Sequence, residues 1–176
     1  MTTHVALLRG VNVSGANKLP MAEFRALLSD LGLAHVASYI QSGNAVFESD
    51  RPAAELEPLI RGAIAARFGF SPETFVRDAA EIASALTDHP FADADPARVH
   101  VCFLAADPQP DEAALRALAL PGDGWYLGPR RITLHTPGGV GTSKLMDRLP
   151  RLLSAPMTAR NLRTVAALHT LAAARG

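Results

Sequence analysis

Short apolar runs alternate with helical stretches along this chain, and the alternation occurs twice. "THVALLRGV" is apolar and rich in strand formers, which predicts a buried strand. In "MAEFRALLSDLG", Met21, Phe24, Leu27, Leu28 and Leu31 recur at helical spacing, between Pro20 at the start and Gly32 at the stop. "HVASYIQ" and "NAVFES" alternate around Ser42-Gly43, the pattern of a hairpin. "AELEPLIRGAIAARFG" then predicts a helix ending at Gly69, and "ETFVRD" a further strand. The order is βαββαβ, that of a ferredoxin-like unit.

A connecting helix, "AAEIASALTDHP", leads into a second series. It comprises the strand "RVHVCFLAA", the helix "DEAALRALAL", the strands "GWYLG" and "RRITLHT", and the helix "TSKLMDRLPRLLS". Pro150 is expected to kink or end that last helix. A short strand fits around Pro156–Ala159, before a final helix "RNLRTVAALHTLAAAR". The expected class is therefore α+β: two tandem ferredoxin-like halves, residues 1–79 and 80–176, packed together and closed by an extra C-terminal helix. No Pro- or Gly-rich linker separates them.

With 176 residues, 48% hydrophobic and 19% charged, the chain is long enough and apolar enough to bury a core. It has no apolar run that would span a membrane and no signal-peptide pattern, so the expected location is the cytoplasm. Its single cysteine, Cys102, lies in "VHVCFLAA" and reads as core packing. The six histidines show no metal-ligand spacing, and no cofactor is expected. Net charge is zero, but from Gly128 onward eight Arg or Lys face one acid, Asp147. That bias fits an anionic partner or a solvated basic face.

Rare residue types are more informative. There are fifteen Arg but two Lys, Lys18 and Lys144, and four Asn, Asn12, Asn17, Asn44 and Asn161. All six lie in or beside four polar segments: "RGVNVSGANK", "QSGN", "GGVGTSK" and "TARN". In the first, a glycine-bearing loop between strand and helix can aim backbone N–H groups at an anion, with Arg9 and Lys18 beside it. It lacks the G-x-G-x-x-G spacing of a dinucleotide site. In the third, Thr142 and Ser143 precede Lys144, the wrong order for a phosphate-binding P-loop. What it offers is a cap from Thr142 or Ser143 and a cation in the first helical turn. Lys144, Arg148 and Arg151 share one face of that helix. In the fourth, Thr158 is expected to cap the last helix, with Arg160 and Asn161 in its first turn.

Together these segments resemble a bacterial family known as domain of unknown function 1697. The motifs that carry the likeness are Arg9, Gly10, Asn12, Asn17, Lys18, Met21, Gln41, Ser42, Gly43, Asn44, Pro90, Phe91, Ser143, Lys144, Arg160 and Asn161. The resemblance implies two ferredoxin-like subdomains and supplies no reaction, because the family has no established activity. His89 stands where the family pattern has Asn, and Leu162 where it has an aromatic residue.

The expected function is binding of an anionic ligand, nucleic acid or a phosphorylated small molecule. Lys18, Lys144 and Arg160 would neutralise charge. Arg9, Asn12, Asn17, Gln41, Ser42, Asn44, Ser143 and Asn161 would supply directional hydrogen bonds. Two alternatives stay open. One is an enzyme acting on a phosphorylated metabolite, with Ser143 or Lys144 in a catalytic role. The other is a structural or interaction module whose polar segments lock the halves.

Overall fold

A computed structural model describes residues 1–175. The element order is β1 (Thr2–Leu8), α1 (Met21–Asp30), β2 (Ala34–Tyr39), β3 (Asn44–Ser49), α2 (Ala53–Phe68), β4 (Thr74–Asp78) and α3 (Ala79–Thr87). After a 3-10 turn at Pro96–Arg98 come β5 (Val99–Leu104), α4 (Glu112–Leu118), β6 (Gly124–Gly128), β7 (Arg131–His135), α5 (Lys144–Leu153), β8 (Met157–Asn161) and α6 (Leu162–Ala173). The strands form two four-stranded sheets, ordered β2-β3-β1-β4 and β6-β7-β5-β8, with every pairing antiparallel. The described residues divide into two compact units, residues 1–83 with 167–175, and residues 84–166.

In the first unit, one face of the sheet presents Ala6, Leu8, Ala45, Phe47 and Val76 to the apolar stripes of α1 and α2. Met21, Phe24, Leu27 and Leu28 of α1 are buried, as are Leu56, Ile60 and Ile64 of α2. Each full burial of this kind stabilises by about 1.5–3 kcal/mol. Gly69 ends α2 at φ 80°, as its position in the sequence requires. The outer edge of β4 is protected by Glu57, whose carboxylate accepts from Val76 N at 2.9 Å. The same carboxylate lies 3.6 Å from the buried Arg77 guanidinium.

The second unit is built alike. Cys102, Leu104, Ile132, Leu134 and Met157 pack with Leu115, Leu145 and Leu149. Cys102 is fully buried, and burial pushes its thiol up to about 12.

Helix α5 runs through Pro150 to Leu153 and stops at Ser154, which is left-handed at φ 49°, so Pro150 does not end it. One local expectation needs correction. Thr158 is not a helix cap: it is a buried residue of β8, and Arg160 and Asn161 complete that strand. The cap of α6 is Asn161, whose Oδ1 accepts from Thr164 N at 3.0 Å. An alternative strand partner, β5, holds residues 157–161 in extended backbone.

Candidate functional site

The loop between β1 and α1 changes hand repeatedly. Gly10, Asn12, Ser14, Gly15 and Asn17 all have positive φ, between 49° and 74°. Asparagine and glycine tolerate that conformation best, which accounts for their concentration here. Val11 and Leu19 are buried and anchor the loop to the core. Asn12 ties it: its Nδ2 donates to Leu19 O at 2.9 Å and to Gln41 O at 2.7 Å, and its Oδ1 accepts from Leu19 N at 2.7 Å. Asn17 Nδ2 donates to Gly10 O at 3.2 Å. Arg9 and Lys18 stand exposed on either side.

The same bonds bring "QSGN" to this loop. Asn44, fully buried at the start of β3, donates from Nδ2 to Tyr39 O at 3.2 Å and to Ser42 Oγ at 3.0 Å, closing the 40–43 turn. Leu8 N donates to Gly43 O at 2.9 Å. Gly43 has φ 80°, and a Cβ there would lie 2.6 Å from Val11 Cγ2 and 2.8 Å from Leu8 Cβ. No other residue fits so close an approach. Gln41 keeps its side chain exposed.

In the second unit, Thr136 to Thr142 form a glycine-bearing turn into α5. Ser143 is the helix cap, its Oγ accepting from Met146 N at 3.4 Å, and Lys144 is the first helical residue, exposed. No local pattern connects Arg98 with this loop, yet a Cβ on Gly139 would collide with Arg98 Nη1. Arg148 and Arg151 line a cavity of about 280 Å³ with Ala114, Ala117, Leu118 and Leu152. Arg160 is buried; its Nη1 donates to Thr158 Oγ1 at 2.6 Å and Ala159 O at 2.9 Å, and burial lowers its pKa to about 10.

Much of the positive charge after Gly128 meets partners inside the unit. Buried Arg131 donates from Nη2 to Asp88 Oδ2 at 3.0 Å and to Ser84 Oγ at 3.1 Å. Tyr126 OH donates to the same Asp88 at 3.2 Å, which raises the tyrosine pKa. Arg163 faces Asp95 at 3.7 Å. His89 and Leu162 meet at one place: both line a cavity of about 390 Å³. His89 Nδ1 accepts from Phe91 N at 3.1 Å, which leaves Nε2 to donate to Leu86 O at 2.9 Å.

The loop pair of residues 9–18 and 41–44 is thus assembled within the first unit, and residues 143–144 and 160–161 belong to the second. Among the described residues no cluster of three or more His, Cys, Asp or Glu is placed to hold a metal ion. No helix among them is long and apolar enough to cross a membrane.

No curated protein matches the chain. Among solved structures it is similar to the conserved bacterial protein SP0830 of Streptococcus pneumoniae, with a TM-score of 0.74 and 27% identity over 97% of this chain and 98% of that one. The family model described as protein of unknown function (DUF1697) matches residues 1–132, which include the loop and turn joined by Asn12. The chain belongs to the DUF1697 family of proteins of unknown function.

Proposed function

We propose that the chain binds an anionic ligand, nucleic acid or a phosphorylated small molecule, through the loop at residues 9–18 and the turn at 40–44. The observation that carries this reading is the run of positive-φ residues at 10, 12, 14, 15 and 17, flanked by exposed Arg9 and Lys18. Alternating backbone hand turns successive N–H groups toward one concavity, the arrangement that binds anions elsewhere. Asn12 and Ala16 give their N–H groups to carbonyls within the loop, and Leu19 N goes to Asn12 Oδ1. The remaining amides of the exposed stretch 13–18 are left for solvent or a ligand. Helix α1 begins at Met21 with no side-chain cap, so its first N–H groups favour negative charge too.

In this reading the candidate residues divide by role. Arg9, Lys18 and Gln41 face the ligand, whereas Asn12, Asn17, Ser42 and Asn44 shape the backbone that receives it. Ser143 and Lys144, with Arg98, form a second cationic loop, and Arg160 and Asn161 order the strand and helix behind it. Each half, 1–79 and 80–176, is a ferredoxin-like βαββαβ unit in this proposal, and the strand order common to the two sheets supports it.

The test is fluorescence-anisotropy binding to short RNA and DNA across a salt titration, with thermal-shift screening of phosphorylated metabolites in parallel. Binding whose log affinity falls linearly with log salt, and which weakens in Arg9→Ala and Lys18→Ala with unchanged melting temperature, is the expected result. No binding to either class at low salt sinks the proposal.

A further inference from the structure

Strand β2 is irregular at its start. Its register against β3 slips between Ala34 and Ala37, and His35, inside that bulge, has φ 50°. Bulges of this kind re-aim a side chain, and a left-handed histidine is held only when its surroundings dictate it. Here they do. His35 Nδ1 lies 2.6 Å from Oε2 of Glu48, which is only 9% exposed. Arg175 Nε donates to His35 O at 2.8 Å, and its Nη1 donates to Leu171 O. His35, Glu48, Ala174 and Arg175 line a cavity of about 400 Å³. It lies at the opposite end of β2 from the 40–43 turn, so it is separate from the ligand loops above.

A carboxylate only accepts hydrogen bonds, so the His35–Glu48 contact requires Nδ1 to carry the proton. In the neutral ring, Nε2 then offers a lone pair. Arg175 Nη2, with no acceptor among the described residues, offers a positive donor. Glu48 works against a fully deprotonated polyanion in the same space. We propose that this cavity binds a small oxyanion that retains an acidic O–H at neutral pH, as inorganic phosphate does. Arg175 takes a negatively charged oxygen, and His35 Nε2 accepts the hydrogen bond from the O–H.

The experiment is an NMR titration of histidine-¹⁵N-labelled full-length protein with inorganic phosphate, and separately with sulfate at matched ionic strength. It is run near about pH 8, where an ordinary histidine is neutral. The expected result is an Nδ1–H tautomer at His35 and a saturable His35 shift with phosphate that sulfate does not produce. Arg175→Gln and His35→Asn, the latter chosen because asparagine tolerates left-handed backbone, each weaken phosphate binding by about tenfold or more without lowering the melting temperature. Glu48→Gln, whose amide can donate to Nδ1, moves the ring proton to Nε2 and abolishes the preference for phosphate. Equal shifts with both anions, no saturable shift, or an Nε2–H tautomer in the free protein overturns the proposal. Lys18→Ala leaves this titration unchanged, so its outcome is independent of the loop reading.

Discussion

Replacing Asn12 tests the local argument most sharply, because one side chain makes three hydrogen bonds from a left-handed backbone. Alanine at position 12 removes both Nδ2 donors and the Oδ1 acceptor. Leu19 is fully buried, so its N–H and C=O lose partners with little access to water. Each orphaned buried group costs about 1–3 kcal/mol. Gln41 is exposed, and its carbonyl is resolvated at almost no cost. To this is added about 1 kcal/mol for holding an alanine at φ 56°. The expected destabilisation is about 4 kcal/mol, or roughly 10 °C in melting temperature for a protein of this size.

Glycine at the same position separates the two terms. Asn12→Gly loses the same hydrogen bonds but keeps the backbone, so it should recover about 1 kcal/mol relative to Asn12→Ala. Asn12→Asp keeps the acceptor for Leu19 N but points a carboxylate at two carbonyls, and should fare no better than alanine. Differential scanning calorimetry, with urea midpoints as a second measure, reads all three. If Asn12→Ala lies within about 0.5 kcal/mol of the parent, the side chain does not hold the loop. If Gly and Ala are equal, the left-handed backbone carries no strain worth counting.

Gly43→Ala should destabilise by about 2–4 kcal/mol, since its Cβ would sit 2.6 Å from Val11 Cγ2 at a backbone φ of 80°; an unchanged urea midpoint would refute that close approach. Lys144→Ala should weaken anion binding while leaving the melting temperature equal or slightly higher, because a cation at the first residue of α5 opposes the helix dipole; a clear fall in melting temperature would assign Lys144 to the fold instead. Cys102 should be silent toward thiol reagents in the native protein at neutral pH and react fully once unfolded, as its buried thiol titrates near about 12. Burial lowers the pKa of His4, with Asp78 opposing, and lowers that of His100. The native state therefore binds fewer protons than the unfolded chain, so stability is full above about pH 6.5 and declines as pH falls below it. A melting temperature that stays flat from neutral pH down to about pH 5 would contradict this.

The strands and helices were legible because their signals are local. Alternation marked β2 and β3, helical spacing marked α1, and the glycines at 32 and 69 marked stops that the backbone adopts at φ 83° and 80°. The failures occur where a distant partner overrides the local pattern. A short strand around 156–159 was legible, yet pairing with β5 extends it to Asn161 and moves the cap of α6 from Thr158 to Asn161. Pro150 reads as a kink or a stop, and of these the stop is excluded, since α5 continues through it to Leu153. His35 gave no signal at all. Its bulge, its left-handed φ and its carboxylate neighbour arise from strand register and from a residue 140 positions further along the chain.

The polar segments raise a subtler point, because one statistical signal had two physical origins. Rare asparagines and lysines gathered in four places, and the asparagines among them meet a structural requirement. The asparagine amides are bonded within the protein: Asn12 to Leu19 and Gln41, Asn17 to Gly10, Asn44 to Tyr39 and Ser42, and Asn161 to the first turn of α6. The lysines are exposed, with no salt bridge or side-chain hydrogen bond among the described residues. An amide whose donors already have acceptors builds the backbone's shape, whereas an exposed cation beside solvent-facing N–H groups is available to something from outside. Sequence finds both and cannot separate them, since the difference lies in where each hydrogen points. Mutation separates them by readout: the asparagines should move stability, and the lysines should move affinity.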